Sequence, residues 1–273
     1  MKWSDEAEAA VKRVPFFVRK QVRERIEQAV REEGRGAVSL ADVTRAKARF
    51  LSGQAHAIQG YRIETCFGPS GCPHRAAASE ALVERIEARL QAAELLAFLK
   101  ANVAGPLKFH HEFRVAVAEC PNACSQPQIR DIGIIGACLP AMAEAACTGC
   151  AACVAACAEE AVRLEDGAER PRIDAGRCLA CGECARACPT GTIAPGARGF
   201  RLQLGGRLGR RPRLALELPG LYAADGVVAV VEAVLDIYKT RSRGGERFAR
   251  LFGAADLEAL ARRFPPDFKP AAL

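Results

Sequence analysis

Two stretches decide how this chain is read: Cys147-Thr148-Gly149-Cys150-Ala151-Ala152-Cys153-Val154-Ala155-Ala156-Cys157 and Cys178-Leu179-Ala180-Cys181-Gly182-Glu183-Cys184-Ala185-Arg186-Ala187-Cys188-Pro189. They are two copies of one pattern, Cys-x2-Cys-x2-Cys-x3-Cys, starting 31 residues apart. A zinc ribbon typically takes two Cys-x2-Cys pairs around one tetrahedral ion, and needs neither the third cysteine at the same spacing nor the fourth soon after. Disulfides fit no better. The chain has 13 cysteines, an odd number, and Met1–Glu6 shows no apolar leader that would send it to an oxidising compartment. The expectation is a cytoplasmic protein whose thiols hold metal.

Three thiolates at spacing three wrap one [4Fe–4S] cluster, and in two-cluster ferredoxins the fourth cysteine of each run ligates the other cluster. One cluster is therefore assigned to Cys147, Cys150, Cys153 and Cys188, and the second to Cys178, Cys181, Cys184 and Cys157. Mostly small residues fill the gaps, as a tight loop requires; Leu179 is the bulky exception, placed to shield one cluster. Cys157 is followed by Ala158 where the motif has proline. Between the runs, Ala161–Leu164 and Arg172–Asp174 predict a hairpin around Asp166-Gly167. Residues 141–195 thus form a two-cluster, ferredoxin-like domain.

Four more cysteines fall in two pairs, Cys66-x5-Cys72 and Cys120-x3-Cys124. Taken singly, each is equally a zinc or a redox pair. In context, Thr65-Cys66-Phe67-Gly68-Pro69-Ser70-Gly71-Cys72-Pro73-His74-Arg75 and Glu119-Cys120-Pro121-Asn122-Ala123-Cys124-Ser125-Gln126-Pro127-Gln128 closely resemble the cluster-binding motifs of the siroheme sulfite and nitrite reductases. The resemblance implies a third [4Fe–4S] cluster on Cys66, Cys72, Cys120 and Cys124. Cys124 would bridge it to siroheme iron, and Arg75 would be a cofactor contact. It extends over about residues 60–265. Asp131–Gly136 matches the family's strand, and Gly205-Gly206-Arg207-Leu208-Gly209-Arg210-Arg211-Pro212-Arg213 its arginine-rich loop. Arg243–Phe248 resembles the C-terminal signature of dissimilatory and anaerobic sulfite reductase subunits, which also carry an inserted ferredoxin domain. The implied fold is α+β: a sulfite-reductase-like α/β half made of residues 53–140 and 196–273, interrupted by the insert.

Charge reaches part of this independently. Thr190–Leu216 holds six arginines and no acid, and arginine is suited to a bidentate grip on carboxylates. Siroheme carries many carboxylates, so Arg207, Arg210, Arg211 and Arg213 are the expected cofactor contacts; a nucleic-acid or merely solvated basic face is the alternative. The whole chain is +7, but residues 141–195 hold eight acids and five bases, so the rest carries about +10. Three clusters at roughly −2 each would bring the total near +1. The basic excess is matched by cofactors, and no nucleic acid is expected.

The chain also departs from the family. Where catalytic members place two lysines, it has Glu112 and Arg114; Arg114 and nearby Lys108 are the candidates for contacting a substrate oxyanion, with His110 and His111 beside them. The blander reading of Lys108, His110 and His111, a polar strand edge, is the one favoured. Glu119 stands where the family has glycine, which predicts an open, solvated corner. Only one of the family's two related halves is present, so a homo- or hetero-oligomer is expected.

Residues 1–52 read as a small helical domain. Ser4 is a plausible N-cap, Pro15 punctuates, a charged helix spans about Phe16–Glu33, and another about Leu40–Leu51. Trp3…Val14-Pro15-Phe16-Phe17-Val18-Arg19…Arg25-Ile26-Glu27 resembles the small C-terminal domain of a light-independent protochlorophyllide reductase subunit. Phe16 and Phe17 are expected in its core, and the basic residues Lys12, Arg13, Arg19, Lys20, Arg23 and Arg25 offer a docking face. Elsewhere Ala77–Ala101 and Val227–Thr240 have helical apolar spacing, and Cys138 reads as a structural thiol. No apolar run approaches the ~20 residues of a membrane helix. Two functions stand open: a siroheme-dependent oxidoreductase acting on sulfite or nitrite, fed by a donor protein or partner subunit, or a non-catalytic multi-cluster electron carrier serving a partner reductase.

Overall fold

The computed structural model describes residues 1–14, 16–56, 58–165 and 167–269, without the side chains of 16–18 and 49–56. The expectations for Pro15, for the Phe16 and Phe17 side chains and for Asp166 lie outside these. Chain contacts divide the protein into two units, Met1–Gln59 with Ala104–His110, and Gly60–Val103 with His111–Leu273.

In the first unit, β1 (Lys2–Trp3) precedes α1 (Asp5–Lys12) and α2 (Phe16–Glu32); β2 (Ala37–Val38) then precedes α3 (Leu40–His56). Ser4 caps α1 as expected, its Oγ accepting from the Ala7 N–H at 3.2 Å. β1 and β2 pair in parallel, a contact too short to announce itself in sequence. Ala7, Ile26, Val30 and Val38 form the core, with Trp3 against it. Part of the expected basic docking face is spent internally. Arg23 grips Glu8 with both ends of its guanidinium and stacks on Trp3, while Arg19 donates to the Val14 and Lys12 carbonyls.

The second unit is built on a five-stranded sheet, with a separate two-stranded pair. In chain order it contains β3 (Tyr61–Thr65), α4 (Glu80–Ala92), α5 (Leu95–Asn102), β4 (Phe113–Ala118) and β5 (Ile132–Met142). Next come α6 (Ala152–Ala155), β6 (Val162–Arg163), β7 (Arg172–Ile173), α7 (Glu183–Ala187), β8 (Ile193–Leu204) and β9 (Leu216–Glu217). The chain closes with α8 (Ala224–Arg241), α9 (Phe248–Leu251) and α10 (Ala254–Arg263). The sheet order is β3-β4-β5-β8-β9, parallel from β3 to β5 and antiparallel beyond. Alternate residues Phe113, Val115, Val117, Ile132, Ile134, Phe200, Leu202 and Leu204 turn to one face, as a period of two dictates. There they pack on Leu82, Ile86 and Leu90 of α4 and on the valines of α8. Mixed helix and sheet, the architecture is α+β as expected.

The helix expected over Ala77–Ala101 is broken. α4 ends at Ala92, Glu94 turns left-handed at φ 48°, and α5 starts afresh. The start of α5 lies against the backbone just before β3: a Cβ on Gly60 would lie 2.3 Å from the Leu96 nitrogen. Between the cysteine runs, β6 and β7 form the expected antiparallel pair.

Candidate iron–sulfur and cofactor site

β3 and β4 run parallel, so Cys66 and Cys120, just past their ends, leave the sheet on the same side. Burial, together with nearby Cys124, Cys66 and Cys72, raises the Cys120 thiol above its ordinary value. Cys153 is raised by burial and by Cys188 and Cys147. Cys178 is raised by burial and by Cys181 and Cys157, and Cys184 is pushed up to about 12 by burial and by Cys178, Cys181 and Cys157. These influences place Cys120 near Cys66, Cys72 and Cys124, Cys153 near Cys147 and Cys188, and Cys178 and Cys184 near Cys181 and Cys157. Among the described residues, no group of three or more His, Cys, Asp or Glu is arranged to hold a single metal ion. A cube of iron and sulfide holds its thiolates farther apart than one ion does.

The backbone around these sulfurs suits anionic ligands. Amide N–H groups donate to them: Gly68 and Glu119 to Cys66, Gly149 to Cys147, Ala161 to Cys157, Ala180 to Cys178 and Ile193 to Cys188, all at 3.3–3.4 Å. Burial alone would raise Cys188, but donation from Ile193 and from Thr190 outweighs it and brings the thiol down to about 7. Such hydrogen bonds to sulfur favour the thiolate and are the usual means of tuning a cluster. Beside the cysteines the chain turns left-handed at Ala123, Ala151 and Ala180, each with φ 55°. The donor chemistry and the loop geometry fit [4Fe–4S] clusters.

The corner at Glu119 is closed, not open as expected from sequence. Glu119 is 1% exposed. Its carboxylate meets the Arg75 Nε at 2.7 Å and accepts from the Ser79 N–H and hydroxyl at 2.7 and 2.8 Å. A carboxylate is tolerated here because an internal cation and two donors replace water. Arg75, expected on the cofactor, also pairs with Glu80; its guanidinium is committed within the chain.

The arginine loop folds back as a small hairpin in which Arg207 and Arg213 bridge. Arg213 donates to the Gly205 and Phe252 carbonyls at 2.7 and 3.1 Å, so part of its guanidinium braces the loop from within. Arg207 braces the loop through the Arg211 carbonyl, while the Arg210 and Arg211 side chains are exposed. The loop follows Leu204, which pairs with Ile132, whereas Ala118 near Cys120 pairs with Ile135. The offset is three residues, ~10 Å along the strand, and the two features stand toward opposite ends of the same strands.

Arg114 lies on β4 opposite Arg62 on β3, and its N–H donates to Asp131 Oδ2 at 2.9 Å. Asp131, 2% exposed, is pushed up by burial; Arg247, 4.0 Å away, lies in the C-terminal signature. The signature is thus pinned to the start of β5. Glu112 is 5% exposed. Lys108 falls within Ala104–His110, which groups with the N-terminal unit. Cys138 is buried, its N–H donates to the Ala180 carbonyl at 2.6 Å, and its backbone pairs with that of Cys181 in an isolated parallel β-bridge. The spacing of Cys138 from either run hid that contact; only the pairing of β5 reveals it.

Residues 61–268 match the family described as the nitrite and sulphite reductase 4Fe-4S domain, and residues 3–47 match the proto-chlorophyllide reductase 57 kD subunit. A coenzyme F420-dependent sulfite reductase of Methanocaldococcus jannaschii is 30% identical over 128 residues, 47% of this chain and 20% of that protein. A light-independent protochlorophyllide reductase from Pelodictyon phaeoclathratiforme is 51% identical in one of its subunits over 53 residues, 19% of this chain and 10% of that protein. The chain therefore spans a fifth or less of these relatives' lengths. Among solved structures, dissimilatory sulfite reductase I aligns with TM-score 0.52 and 18% identity over 76% of this chain and 52% of its own, a likeness of fold.

Proposed function

This chain belongs to the nitrite and sulphite reductase 4Fe-4S domain family, and from that premise we propose that it is an iron–sulfur redox protein moving single electrons toward the reduction of a small oxyanion such as sulfite or nitrite. The observation that carries the proposal is the gathering of Cys66, Cys72 and Cys124 around Cys120 beside two further cysteine sets. A [4Fe–4S] cluster on each set supplies one-electron chemistry when bound. The chain's own part is to supply the thiolates, aim N–H groups at them, and keep water from Cys153 and Cys184, both buried.

Siroheme beside Cys124 is part of this proposal. Cys124 is exposed and accepts from the Asn122 amide at 3.0 Å, so one sulfur of the set faces outward, as a bridging ligand must. Arg210 and Arg211 are exposed on the hairpin, and they are the proposed contacts for the carboxylates of this large anionic cofactor. Arg114 is the candidate for the substrate oxyanion, with Lys108 as a second. A protein electron donor or a reductase subunit is the proposed partner.

Buried Glu112, standing where catalytic members have lysine, favours a second reading, a multi-cluster carrier serving a partner reductase. One experiment separates the two: anaerobic purification from a siroheme-making host, a visible spectrum, and acid-acetone extraction. Sharp Soret and α-bands with extractable siroheme support the reductase. A broad iron–sulfur shoulder with no tetrapyrrole leaves the carrier.

A further inference from the structure

The sulfurs fall into three sets, and β5 ranks them. A Cβ on Gly136 would lie 2.6 Å from the carbonyl oxygen of Glu119, the residue before Cys120. Two residues further along the strand, Cys138 bridges Cys181 and donates to Ala180, and a Cβ on Gly182 would lie 3.3 Å from the Cys138 Cβ. Residues i and i+2 share a face of the sheet and stand ~7 Å apart. The backbone leading into the flanking-pair set and the backbone of the second run are therefore held side by side. The first run is farther out. Met142 pairs with Ile193, whose N–H donates to Cys188, the sulfur that completes the first run's set. Met142 is four residues beyond Cys138, ~13 Å along the strand. The register slips between Cys138 and Pro140, an irregularity of the kind that re-aims a strand next to a functional site.

A side-chain link repeats the ranking. His74, two residues after Cys72, meets Glu183, two residues after Cys181, at 2.8 Å from Nδ1 to Oε1, and Glu183 also pairs with Arg186. At the other end, Cys150 of the first run is exposed, whereas none of Cys178, Cys181, Cys184 and Cys157 is.

Resting on the cluster assignment above, we propose that the second run, with Cys157, holds the cluster adjoining the flanking-pair set, that the Cys138–Cys181 and His74–Glu183 contacts form the joint between them, and that the first run is the outer site where electrons enter. A low-potential one-electron carrier of the ferredoxin type, or a viologen dye in vitro, would reduce the outer cluster. That electron would pass first to the cluster on the second run, and the second-run cluster would in turn pass it to the cluster on the flanking pairs. One is oxidised and the other reduced by the same electron, and no bond forms or breaks.

The test is electron paramagnetic resonance on the full-length, anaerobically reconstituted, dithionite-reduced protein, with iron counted in parallel. The double variant Cys147→Ala/Cys150→Ala empties the first run and leaves the spin–spin broadening and fast relaxation of the flanking-pair signal intact. Cys178→Ala/Cys181→Ala abolishes that broadening. The opposite pattern overturns the ranking. The milder double variant His74→Ala/Glu183→Ala keeps every ligand. After rapid mixing with reduced methyl viologen, the flanking-pair set is reduced several-fold more slowly while the outer set is reduced as fast as in wild type; an unchanged rate overturns the joint. A wild-type protein holding only about eight irons and no third signal refutes the cluster assignment itself, an outcome distinct from a reversed pattern in a protein holding about twelve.

Discussion

The Arg75 guanidinium meets the Glu119 carboxylate at 2.7 Å, directly ahead of Cys120 and behind the Cys66–Cys72 loop. Glu119 is 1% exposed, and a Cβ on Gly68 would collide with it, so the pair fills the space between the two cysteine motifs. Breaking a fully buried pair by removing one partner costs about 3–5 kcal/mol. Because Arg75 keeps 29% of its side-chain surface, Arg75→Ala is expected to cost about 2 kcal/mol. Its sharper signature is local: loss of the third set's iron with the ferredoxin sets retained. Glu119→Gln, which keeps the hydrogen bonds from Ser79, retains more of that iron. Iron content and thermal unfolding check both.

Each cysteine set is expected to carry its iron independently. Wild type binds about twelve irons per chain, and Cys72→Ala, Cys150→Ala and Cys181→Ala each lower this to about eight. Iron and acid-labile sulfide assays on the three variants read this directly. A fall to about four in any one of them would mean that loss of one cluster also empties a second set.

How much of this was legible in sequence depended on range. The two runs and the hairpin between them were readable because their spacing is local and rigid. Helix α8 and the Ser4 cap followed from apolar periodicity and capping chemistry. The break at Glu94 was not readable, because the apolar spacing runs unbroken through it, and the left-handed turn there sits where α5 meets Gly60, a residue distant in sequence. Glu119 was misread for the same reason. Its charge was visible, but Arg75 and Ser79, which neutralise and bond it, come from a different motif. Arg213 and its neighbours looked alike as a string of cations; only the fold shows that Arg213 faces backbone carbonyls while Arg210 and Arg211 face outward.

The left-handed alanines offer a test of the loop geometry. Ala151 has φ 55° between Cys150 and α6. That conformation costs a non-glycine residue roughly 1–2 kcal/mol. Ala151→Gly is expected to keep full iron and to reconstitute at least as readily, whereas Ala151→Val, whose branched Cβ resists positive φ, loses iron from the first run. Equal iron in both variants would show that the loop is not held in this conformation.

In the N-terminal unit, Asp42 is 5% exposed and accepts from Arg35 at 3.0 Å and from the Ser39 N–H and hydroxyl. The Arg35 guanidinium, and then Ser39, hold its carboxyl well below the ordinary 3.8 despite burial. A carboxylate held low in the folded state contributes stability that is complete above its unfolded value and is lost as pH falls toward the folded one. Asp42→Asn should therefore destabilise the protein by about 1–3 kcal/mol at pH 7, with the gap to wild type narrowing below about pH 4. Chemical denaturation of the two proteins from pH 3 to 7 checks this, and a gap independent of pH would show that the Asp42 charge is not what the contacts with Arg35 and Ser39 stabilise.

The arginine loop separates a structural role from a binding one. Arg213 donates to two backbone carbonyls, at Gly205 and Phe252, and burial lowers its pKa. Arg213→Ala therefore leaves those carbonyls without their donor and is expected to cost about 1–2 kcal/mol in unfolding free energy. The Arg210 and Arg211 side chains are exposed on the hairpin, so the pair Arg210→Ala/Arg211→Ala should change stability by no more than about 0.5 kcal/mol. If the loop grips the carboxylates of a tetrapyrrole, the same pair should lower the siroheme recovered per chain while iron stays at the wild-type level. Extraction and iron assay on one preparation decide it: siroheme and iron both unchanged would assign the cationic loop to solvent or to a partner surface, not to the cofactor.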